Sequence, residues 1–568
     1  MPILSMKTIL RTLYIAGALF LLIYLIRPVL NYGYMALPLG LLIIAIIYLA
    51  LSFKSNRKFT LGKKIAGSVV ALSLLYILGV GVFGTWSLFH AEEYRDLLGS
   101  IGTGKNFSES VAPIETSQIR LVDEATAHRL GDKVLGERPS LGSQTKLGDF
   151  NIQKVGDQLY WVAPLLHSGF FKWAANSEGT PAYVMVSATN ERDVKLVQEY
   201  NGQPIQIKYQ PKAFFGTYLA RHLYFNGFLS QGLTDYTFEI DDNGKPYWVV
   251  TYFDKEIGFS GKQPKGVVVV DAASGEMKKY SPEEAPAWVD RIQPEYIVED
   301  QLDWYGEYVH GFWNFSNRDK LQTTKGMSLV YGKNNRSYWY TGITSVGSDE
   351  GTVGFVLVDT RTKETTLFRQ TGATETAAMQ SAAGKVQEKG YEPSFPITYN
   401  INGVPTYVMA LKDQAGLVKM AAMVSVQDYS LVGVGGTLQE ALRSYRGTVN
   451  SLGNALAPSS QRQYQQLQST INRIGQEVLN GNTYYYMILE GQNDQLFVAT
   501  SGLSASLPVT KIGDQVQIQY DDSLSQIVDI LAFENLSLPL KMRPKQREKL
   551  EDFKLSELPI RSDSTTVQ

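Results

Sequence analysis

Apolar positions form long uninterrupted runs only at the start of the chain. Three uncharged apolar stretches cover Thr12–Ile26, Pro28–Phe53 and Ile65–Phe89. The second and third exceed the roughly 20 residues that a helix needs to cross hydrocarbon. The first is shorter, but Arg11 and Arg27 flank it and could extend to the two membrane interfaces. The pattern therefore predicts three transmembrane helices within residues 1–90. A cleaved signal peptide is the alternative for the first stretch, which lacks a convincing small-residue cleavage site.

The charges around these stretches predict an orientation. A dense basic cluster lies between the second and third stretches: Lys54, Arg57, Lys58, Lys63 and Lys64. Such clusters stay in the cytoplasm. The segment His90–Asp96 has no comparable positive excess. We therefore predict a multi-pass protein of the plasma membrane, with its N-terminus in the cytoplasm and a large extracytoplasmic domain.

Beyond the apolar stretches, an aromatic strand is followed about 20 to 26 residues later by a β-branched strand. Four copies occur: Gly156–Val162 with Ala182–Ser187, Gly244–Val250 with Gly266–Asp271, Arg336–Tyr340 with Gly354–Asp359, and Gly403–Met409 with Ala421–Val426. Turn residues such as Asn402-Gly403 favour antiparallel hairpins. Helical patterns separate the hairpins, at Thr116–Leu135, Phe214–Phe225, Glu295–Phe312 and Thr374–Lys389. The predicted repeat is thus a helix on a β-hairpin, and neighbouring copies should share cores because one copy is too small alone.

These patterns predict an α+β fold. After the membrane region, four modules cover residues 91–200, 201–292, 293–372 and 373–447. Polar helical patterns at Thr437–Tyr445 and Gln461–Val478 predict a helical spacer over 448–480. Five short strands, including Ser506–Val509, then predict a small barrel of the OB or SH3-like kind over 481–540. The charged, Ser/Thr-rich residues 541–568 predict a disordered tail.

One strand resembles a known family. Val269-Val-Asp-Ala-Ala-Ser-Gly-Glu276 resembles the strand of PepSY-type domains, which are short helix-plus-sheet modules of bacterial envelope proteins. The third copy, Leu357–Glu364, has lysine in place of the glycine, and the first and fourth copies keep only the apolar strand. The resemblance implies a bacterial envelope module that modulates or docks with another protein.

Composition excludes several classes of site. The 568 residues carry a net charge of −2, and Lys and Arg form no basic stripe, so we expect no nucleic-acid partner. The chain has no cysteine, which excludes disulfides, thiolate metal sites and cysteine nucleophiles. The sequence predicts no cofactor.

Three patterns could carry chemistry. Glu299, Asp303, Glu307 and His310 share one helix face and form the candidate metal site, although a solvated face has the same spacing. Gly99–Asn106 nearly fits a phosphate-binding loop, but Asn106 replaces the required hydroxyl, and a flexible linker explains its glycines better. The five histidines (His90, His128, His167, His222 and His310) accompany no Gly-x-Ser-x-Gly motif. We therefore predict no catalytic residue.

The expected partners are a lipid bilayer and a second protein or a copy of this chain. Cell-wall glycan is a further possibility because 33 tyrosines and 8 tryptophans could stack on sugar rings. However, Trp161, Trp248 and Trp339 occupy equivalent repeat positions, as recurring core residues would. The sequence favours a non-enzymatic binding, scaffold or assembly protein. The alternatives are an envelope enzyme with a metal at Glu299–His310 and an accessory subunit of a transport or secretion complex.

Overall fold

The computed structural model describes residues 17, 20–55, 60–104, 118–156, 158–332, 336–347, 351–369, 371–401, 404–451, 464–479, 482–521 and 527–538. The chain divides into two compact units, Met1–Arg462 and Gln463–Gln568. The predicted tail, residues 541–568, lies outside the described residues.

Two apolar helices, α1 (Ala36–Ser55) and α2 (Leu61–Phe83), pack side by side. Large apolar side chains on α2 face outward, with Leu72 65% and Leu75 69% exposed. Water is a poor environment for such a surface, and lipid is a good one. By length and composition, α2 is able to span a membrane.

The prediction of three transmembrane helices is wrong, and with it the multi-pass topology. Within the described part of the chain, only α2 is long and apolar enough to cross a membrane, and the apolar part of α1 covers only Ala36–Ser52. The run Pro28–Phe53 is apolar throughout, but its first residues form a loop on the globular domain instead of a helix. There the backbone N–H of Leu30 donates to the Leu229 carbonyl at 2.7 Å. Of the first stretch, only 17 and 20–26 are described.

The segments that flank α1 and α2 are bonded to the globular domain. Tyr34 is 7% exposed, and its hydroxyl donates to the Phe253 carbonyl (2.9 Å) and accepts from the Gly232 N–H (3.1 Å). After α2, the Thr85 hydroxyl accepts from the Phe259 N–H at 2.9 Å. Helix α3 (Ser87–Asp96) and strand β1 (Ile101–Gly104) then enter the domain. These hydrogen bonds fix the domain at one end of the α1–α2 pair.

The globular domain contains four modules. The first comprises α4 (Glu124–Gly136), α5 (Pro139–Gly142), β2 (Thr145–Leu147), β3 (Asn151–Val155), β4 (Gln158–His167), α6 (Phe170–Ala175), β5 (Tyr183–Ser187), β6 (Val194–Val197), β7 (Glu199–Tyr200) and β8 (Gln203–Pro204). The second comprises α7 (Leu219–Phe225), β9 (Gly232–Ile240), β10 (Pro246–Ile257), β11 (Ser260–Asp271) and β12 (Met277–Tyr280). The third comprises α8 (Glu295–Glu307), β13 (Leu321–Thr323), β14 (Ser328–Tyr331), β15 (Ser337–Ser345), β16 (Gly351–Thr352), β17 (Gly354–Asp359), β18 (Thr365–Phe368) and β19 (Gly372–Ala373). The fourth comprises α9 (Glu375–Lys385), β20 (Glu392–Pro393), β21 (Ile397–Ile401), β22 (Val404–Lys412), β23 (Val418–Ser425), β24 (Val432–Gly435) and α10 (Leu438–Ser451).

Each module is a helix followed by an antiparallel meander of four strands. The first strand is split in three of the modules: β2 and β3 both pair with β4, β13 and β14 with β15, and β20 and β21 with β22. In the second module β9 is continuous. All four predicted hairpins are present, as β4–β5, β10–β11, β15–β17 and β22–β23. The repeat is therefore longer than the hairpin found in the sequence.

Strand register places the repeat's aromatic residue at the same position in each module. Trp161 lies opposite Val186, Trp248 opposite Val270, Trp339 opposite Val358, and Tyr407 opposite Val424. Trp248, Trp339 and Tyr407 are at most 4% exposed, and Trp161 is partly buried. The prediction that these tryptophans recur in module cores is confirmed for Trp248 and Trp339.

Two of the helices, α4 and α9, begin where a side chain caps them. Asp123 accepts from the Thr126 N–H at 3.0 Å at the start of α4, and Thr374 accepts from the Ala377 N–H at 3.2 Å at the start of α9. Such caps satisfy N–H groups that have no partner in the first turn. Asp123 also forms an ion pair with Lys412 of the fourth module. One residue therefore starts a helix and joins two modules.

The C-terminal unit is a closed five-stranded barrel, which confirms the predicted barrel. Its strands are β25 (Tyr464–Leu479), β26 (Asn482–Leu489), β27 (Gln492–Thr500), β28 (Gln515–Asp521) and β29 (Ile527–Asn535). The helix predicted over Gln461–Val478 is wrong, because this segment is largely β25. The strand predicted at Ser506–Val509 is also wrong, since Leu507–Val509 is a 3-10 turn.

Candidate functional site: a carboxylate-rimmed cleft between three modules

A cleft of about 540 Å³ lies between the first, third and fourth modules. Residues of the split first strands β3, β14 and β21 line it. Within the described residues, β14 pairs only with β15 and β21 only with β22. Two strand edges of different modules thus border one cavity, and its volume is typical of ligand-binding sites.

The walls of the cleft are largely apolar. They include Met327, Leu329, Phe395, Ile397 and Val408. The repeat tryptophans Trp161 and Trp339 also line the cleft. Their indole N–H groups donate to the backbone carbonyls of Val122 (2.7 Å) and Gln293 (2.8 Å). The indole rings are thus fixed by hydrogen bonds that leave their faces available for packing.

Three exposed carboxylates stand at the rim: Glu124, Asp149 and Glu295. None of them forms an ion pair with another described residue. Desolvation by the cleft walls raises the pKa of Glu124, and the charge of Asp149 raises it further. Desolvation also raises the pKa of Glu295, with Glu299 as the next cause and a smaller contribution from Glu124, while Arg291 lowers the pKa of both Glu124 and Glu295 without cancelling the rise. The rim is therefore a set of mutually repelling acidic groups that a bound cation would stabilise.

Arg291 forms the polar floor of the cleft. Its Nη2 donates to Asn151 Oδ1 at 2.8 Å, while its Nε has no hydrogen-bond partner in the described structure. The carboxylates of Asp235, Glu239 and Asp290 all interact electrostatically with it. Asp290 is 6% exposed and accepts from the Lys154 N–H (3.0 Å) and the Tyr331 hydroxyl (2.9 Å). The floor therefore places one cation among three acidic groups at the junction of three modules.

Burial controls the ionisation of the carboxyl groups around Arg291. Glu239 is 1% exposed, and burial raises its pKa to about 8, against the opposing effect of Arg291. One of its oxygens, Oε2, has no hydrogen-bond partner in the described structure. Burial likewise raises the pKa of Asp290 to about 6, against hydrogen bonds from Lys154 and Tyr331. Both carboxyl groups therefore bind a proton more tightly in the folded protein than in the unfolded chain.

We expect the Glu239→Gln variant to lose less folding stability than the unchanged protein as the pH rises. The pKa of this carboxyl is about 8 in the folded protein and 4.5 in the unfolded chain. Its contribution to stability is therefore fully present below pH 4.5 and is lost as the pH rises towards about 8. The glutamine oxygen still accepts the bond from the Thr237 hydroxyl, which is 3.0 Å from Oε1. The melting temperature of the full chain in detergent should therefore favour the variant more at about pH 8.5 than at about pH 5. The exposed Glu388→Gln is the matched control, and a difference that does not change with pH would contradict the expectation.

The residues of the candidate metal site have separate partners. The Asp303 carboxylate accepts from the Thr323 N–H at 3.0 Å, and Glu307 pairs with Lys320 at 2.6 Å. Helix α8 ends at Glu307, so His310 is outside it, and its Nε2 is 2.8 Å from Asp319. Glu299 is partly buried, and desolvation raises its pKa, with Asp303 as the next cause. Among the described residues, no three His, Asp or Glu side chains form a group able to hold a metal. The metal site stays a prediction from spacing alone.

The other sequence candidates lie in different parts of the fold. Ile101–Gly104 is strand β1, which pairs in parallel with β18, so this part of the glycine-rich segment is neither a phosphate loop nor a flexible linker. Lys105 and Asn106 lie outside the described residues. His222 is in α7, where its Nε2 is 2.7 Å from the Gly275 carbonyl.

The sequence patterns missed Arg291 at the floor of the cleft and the buried carboxyl groups around it. Glu239 follows Phe238 on a strand, and successive side chains of a strand point to opposite faces. The sequence therefore places Glu239 on the face opposite Phe238, but it does not show that this face is also buried. Asp290 and Arg291 lie in an irregular segment with no period to interpret. Only the adjacent opposite charges of Asp290-Arg291, between the apolar Val289 and Ile292, gave a local signal.

Neither a known protein family nor a curated protein matches the chain.

Proposed function

We propose that this protein is a membrane-anchored binding platform whose cleft holds a cationic, partly apolar segment of a protein partner. The cleft carries the proposal, because apolar walls and unpaired rim carboxylates occur together in one cavity of about 540 Å³. A lysine or arginine side chain would relieve the repulsion among Glu124, Asp149 and Glu295, while neighbouring apolar side chains contact the walls. This complementarity favours a binding protein.

The edges of β14 and β21 support an extended conformation for that segment. Each presents backbone groups on a side that carries no further strand in the described structure. An added strand obtains affinity from backbone hydrogen bonds and specificity from alternate side chains. The partner is thus proposed to bind by strand addition between the third and fourth modules.

The membrane-proximal helices support placement outside the cytoplasm. The domain contacts the chain directly after α2, whereas Lys63 and Lys64 lie at the other end of this helix. Basic loops stay in the cytoplasm, so α2 would deliver the domain to the opposite side. The PepSY-like strand Val269–Glu276 supports a bacterial envelope in particular.

A single cysteine tests both the partner and the side of the membrane, because the chain has no cysteine of its own. Phe395 lines the cleft and is 38% exposed, so Phe395→Cys is expected to react on intact cells with a membrane-impermeant maleimide photocrosslinker. Where an outer membrane exists, it is first permeabilised. Illumination should then give one discrete protein adduct. Tyr429→Cys, 47% exposed and outside the cleft lining, is the matched control.

Charge reversal shows whether the adduct depends on the rim. Adding Glu124→Lys and Glu295→Lys is expected to reduce the adduct on the order of tenfold, since like charges across an interface cost several kcal/mol. The matched reversal uses the exposed Glu137 and Glu388 and should leave the adduct unchanged. Labelling only after the plasma membrane is broken would refute the extracytoplasmic placement. Labelling without an adduct, or an adduct that survives rim reversal, would refute the binding cleft.

A further inference from the structure

A second cavity, of about 410 Å³, lies at the boundary of the first and second modules, away from the cleft. Four of its lining residues are lysine, arginine or histidine: Lys146, His167, Lys212 and Arg221. Among the residues that the structure describes, no carboxylate lines it. Lys146 and Lys212 are exposed, and neither forms an ion pair with a described residue. The cavity is therefore an electropositive pocket without an internal counter-ion.

A buried histidine gives independent support for a ligand. His167 is 2% exposed and lines the pocket, yet its Nε2 has no hydrogen-bond partner in the described structure. An unsatisfied buried polar atom is unfavourable unless a ligand or water bonds to it. Burial lowers the pKa of His167, so the neutral ring is available as a hydrogen-bonding group beside the lysines.

Exposed aromatic rings surround the pocket. Phe170 packs edge-on against Phe214 at 5.2 Å and lies 5.7 Å from Trp173. Phe171 is 83% exposed, and Phe215 is 56% exposed. Phe215 also has φ of 50°, a conformation that is strained for a bulky residue and is maintained at functional sites. Aromatic residues with this exposure are typical of surfaces that lie at a membrane interface.

The pocket contacts the apolar N-terminal helix directly. The Arg221 guanidinium is 4.0 Å from the centre of the Tyr24 ring, and its Nε donates to the Tyr24 carbonyl at 3.2 Å. Arg27 lies 4.8 Å above the ring of Tyr218, which also lines the pocket. Residues 20–26 are helical and expose large apolar side chains, such as Phe20 at 60% and Ile26 at 62%. The basic pocket thus opens beside a surface suited to lipid.

We infer that this pocket binds the phosphate of an acidic phospholipid headgroup at the membrane surface. Lys146, Lys212 and Arg221 supply the positive charge, and His167 supplies a hydrogen bond. Phe170, Phe171 and Phe215 lie among the acyl chains next to the headgroup. A freely diffusing phosphate has no apolar part that could contact these aromatic rings. The rings therefore favour a lipid as the source of the phosphate. The site is independent of the proposed partner cleft.

Binding of short-chain lipids to the full chain in detergent tests this inference. Phosphatidylglycerol and phosphatidylcholine with identical acyl chains are titrated, and bound lipid is counted by native mass spectrometry. The acidic lipid should bind preferentially. Lys146→Gln with Lys212→Gln should lower its association constant on the order of tenfold, because each lysine near an anionic lipid contributes appreciably. Lys133→Gln with Lys385→Gln, two exposed lysines outside the pocket, is the matched control.

A second pair of measurements separates lipid from free anion. Inorganic phosphate should fail to displace the lipid at equal concentration, and Phe171→Ser should weaken lipid binding without affecting the fold. Equal binding of the two lipids, or an unchanged constant in the double lysine variant, would overturn the site. Displacement by inorganic phosphate at equal concentration would overturn the lipid assignment.

Discussion

Replacing Gly433 by alanine is expected to lower the free energy of unfolding of the fourth module by about 2–3 kcal/mol. Strand β24 lies directly on α10, and a Cβ at Gly433 would come well within 3.0 Å of the backbone of Tyr445. A backbone atom cannot rotate away as a flexible side chain does. Tyr445 is 0% exposed and its hydroxyl is 3.2 Å from that of Thr406, so α10 has no room to shift without disturbing the core.

Hydrogen exchange localised to peptides within 404–451 measures this effect in the full chain, where global melting would average over modules. Gly384→Ala is the matched control, because Gly384 lies in α9 and a Cβ added there would have no neighbouring atom within 4 Å. Alanine is the better helix former, so the control should be neutral or stabilising by up to about 1 kcal/mol. Equal exchange in the two variants would show that β24 and α10 are not in the close contact described.

Arg291→Met is expected to destabilise the junction of the first three modules by about 3 kcal/mol at about pH 9, where Glu239 is ionised. The guanidinium is the positive charge that Asp235, Glu239 and Asp290 share, and methionine of similar length leaves these carboxylates without it. It also removes the bond to Asn151. The loss should be smaller at about pH 5, where Glu239 and Asp290 are largely protonated because burial raises their pKa values to about 8 and about 6.

A second substitution separates lost charge from lost packing. In the Arg291→Met background, Glu239→Gln should recover part of the stability, whereas independent sites would give additive effects. Arg318→Met is the control, since the Arg318 side chain is 80% exposed. Melting temperatures of the full chain at two pH values measure all variants. If Arg291→Met lowered the melting temperature equally at both pH values and Glu239→Gln restored none of it, the effect would come from lost packing alone.

Repetition was the part of the fold that the sequence predicted well. The four hairpins and their helices are periodic signals, and each is confirmed within a four-stranded meander. The membrane region was harder, because Pro28 and the residues after it are as apolar as a transmembrane helix yet bond to the domain. An apolar sequence shows that a segment prefers to leave water. How many of its residues become helical is decided by tertiary contacts.

Strand β25 shows how one irregularity defeats a periodic signal. Leu467, Ile471 and Ile474 are spaced by four and three residues, as on a helix face. In the barrel they pack towards one core, because the register of β25 shifts between Ile471 and Arg473. Core-facing residues of a regular strand are two residues apart. A bulge inserts one extra residue, so the core-facing residues on either side of it are three residues apart. No local propensity distinguishes this case from a helix.

The cleft could not be predicted, since its residues come from three modules that are distant in sequence. Glu124, Glu295 and Phe395 share no motif and meet only when the modules assemble. Their meeting depends on inter-module contacts, such as the ion pair of Asp123 with Lys412, which a single sequence does not specify.

The parallel pairing of β1 with β18 sets an order of events during synthesis. β1 is made soon after α2, but its partner, Thr365–Phe368, follows more than 250 residues later. The Lys363 ammonium, which donates to the Leu97 carbonyl at 2.5 Å, arrives equally late. A nascent chain that emerges from the ribosome therefore has an unpaired strand shortly after α2 until most of the third module has been translated. During this interval the unpaired backbone groups of β1 are accessible to chaperones and to neighbouring chains. The third sheet is therefore completed late in the synthesis of the chain.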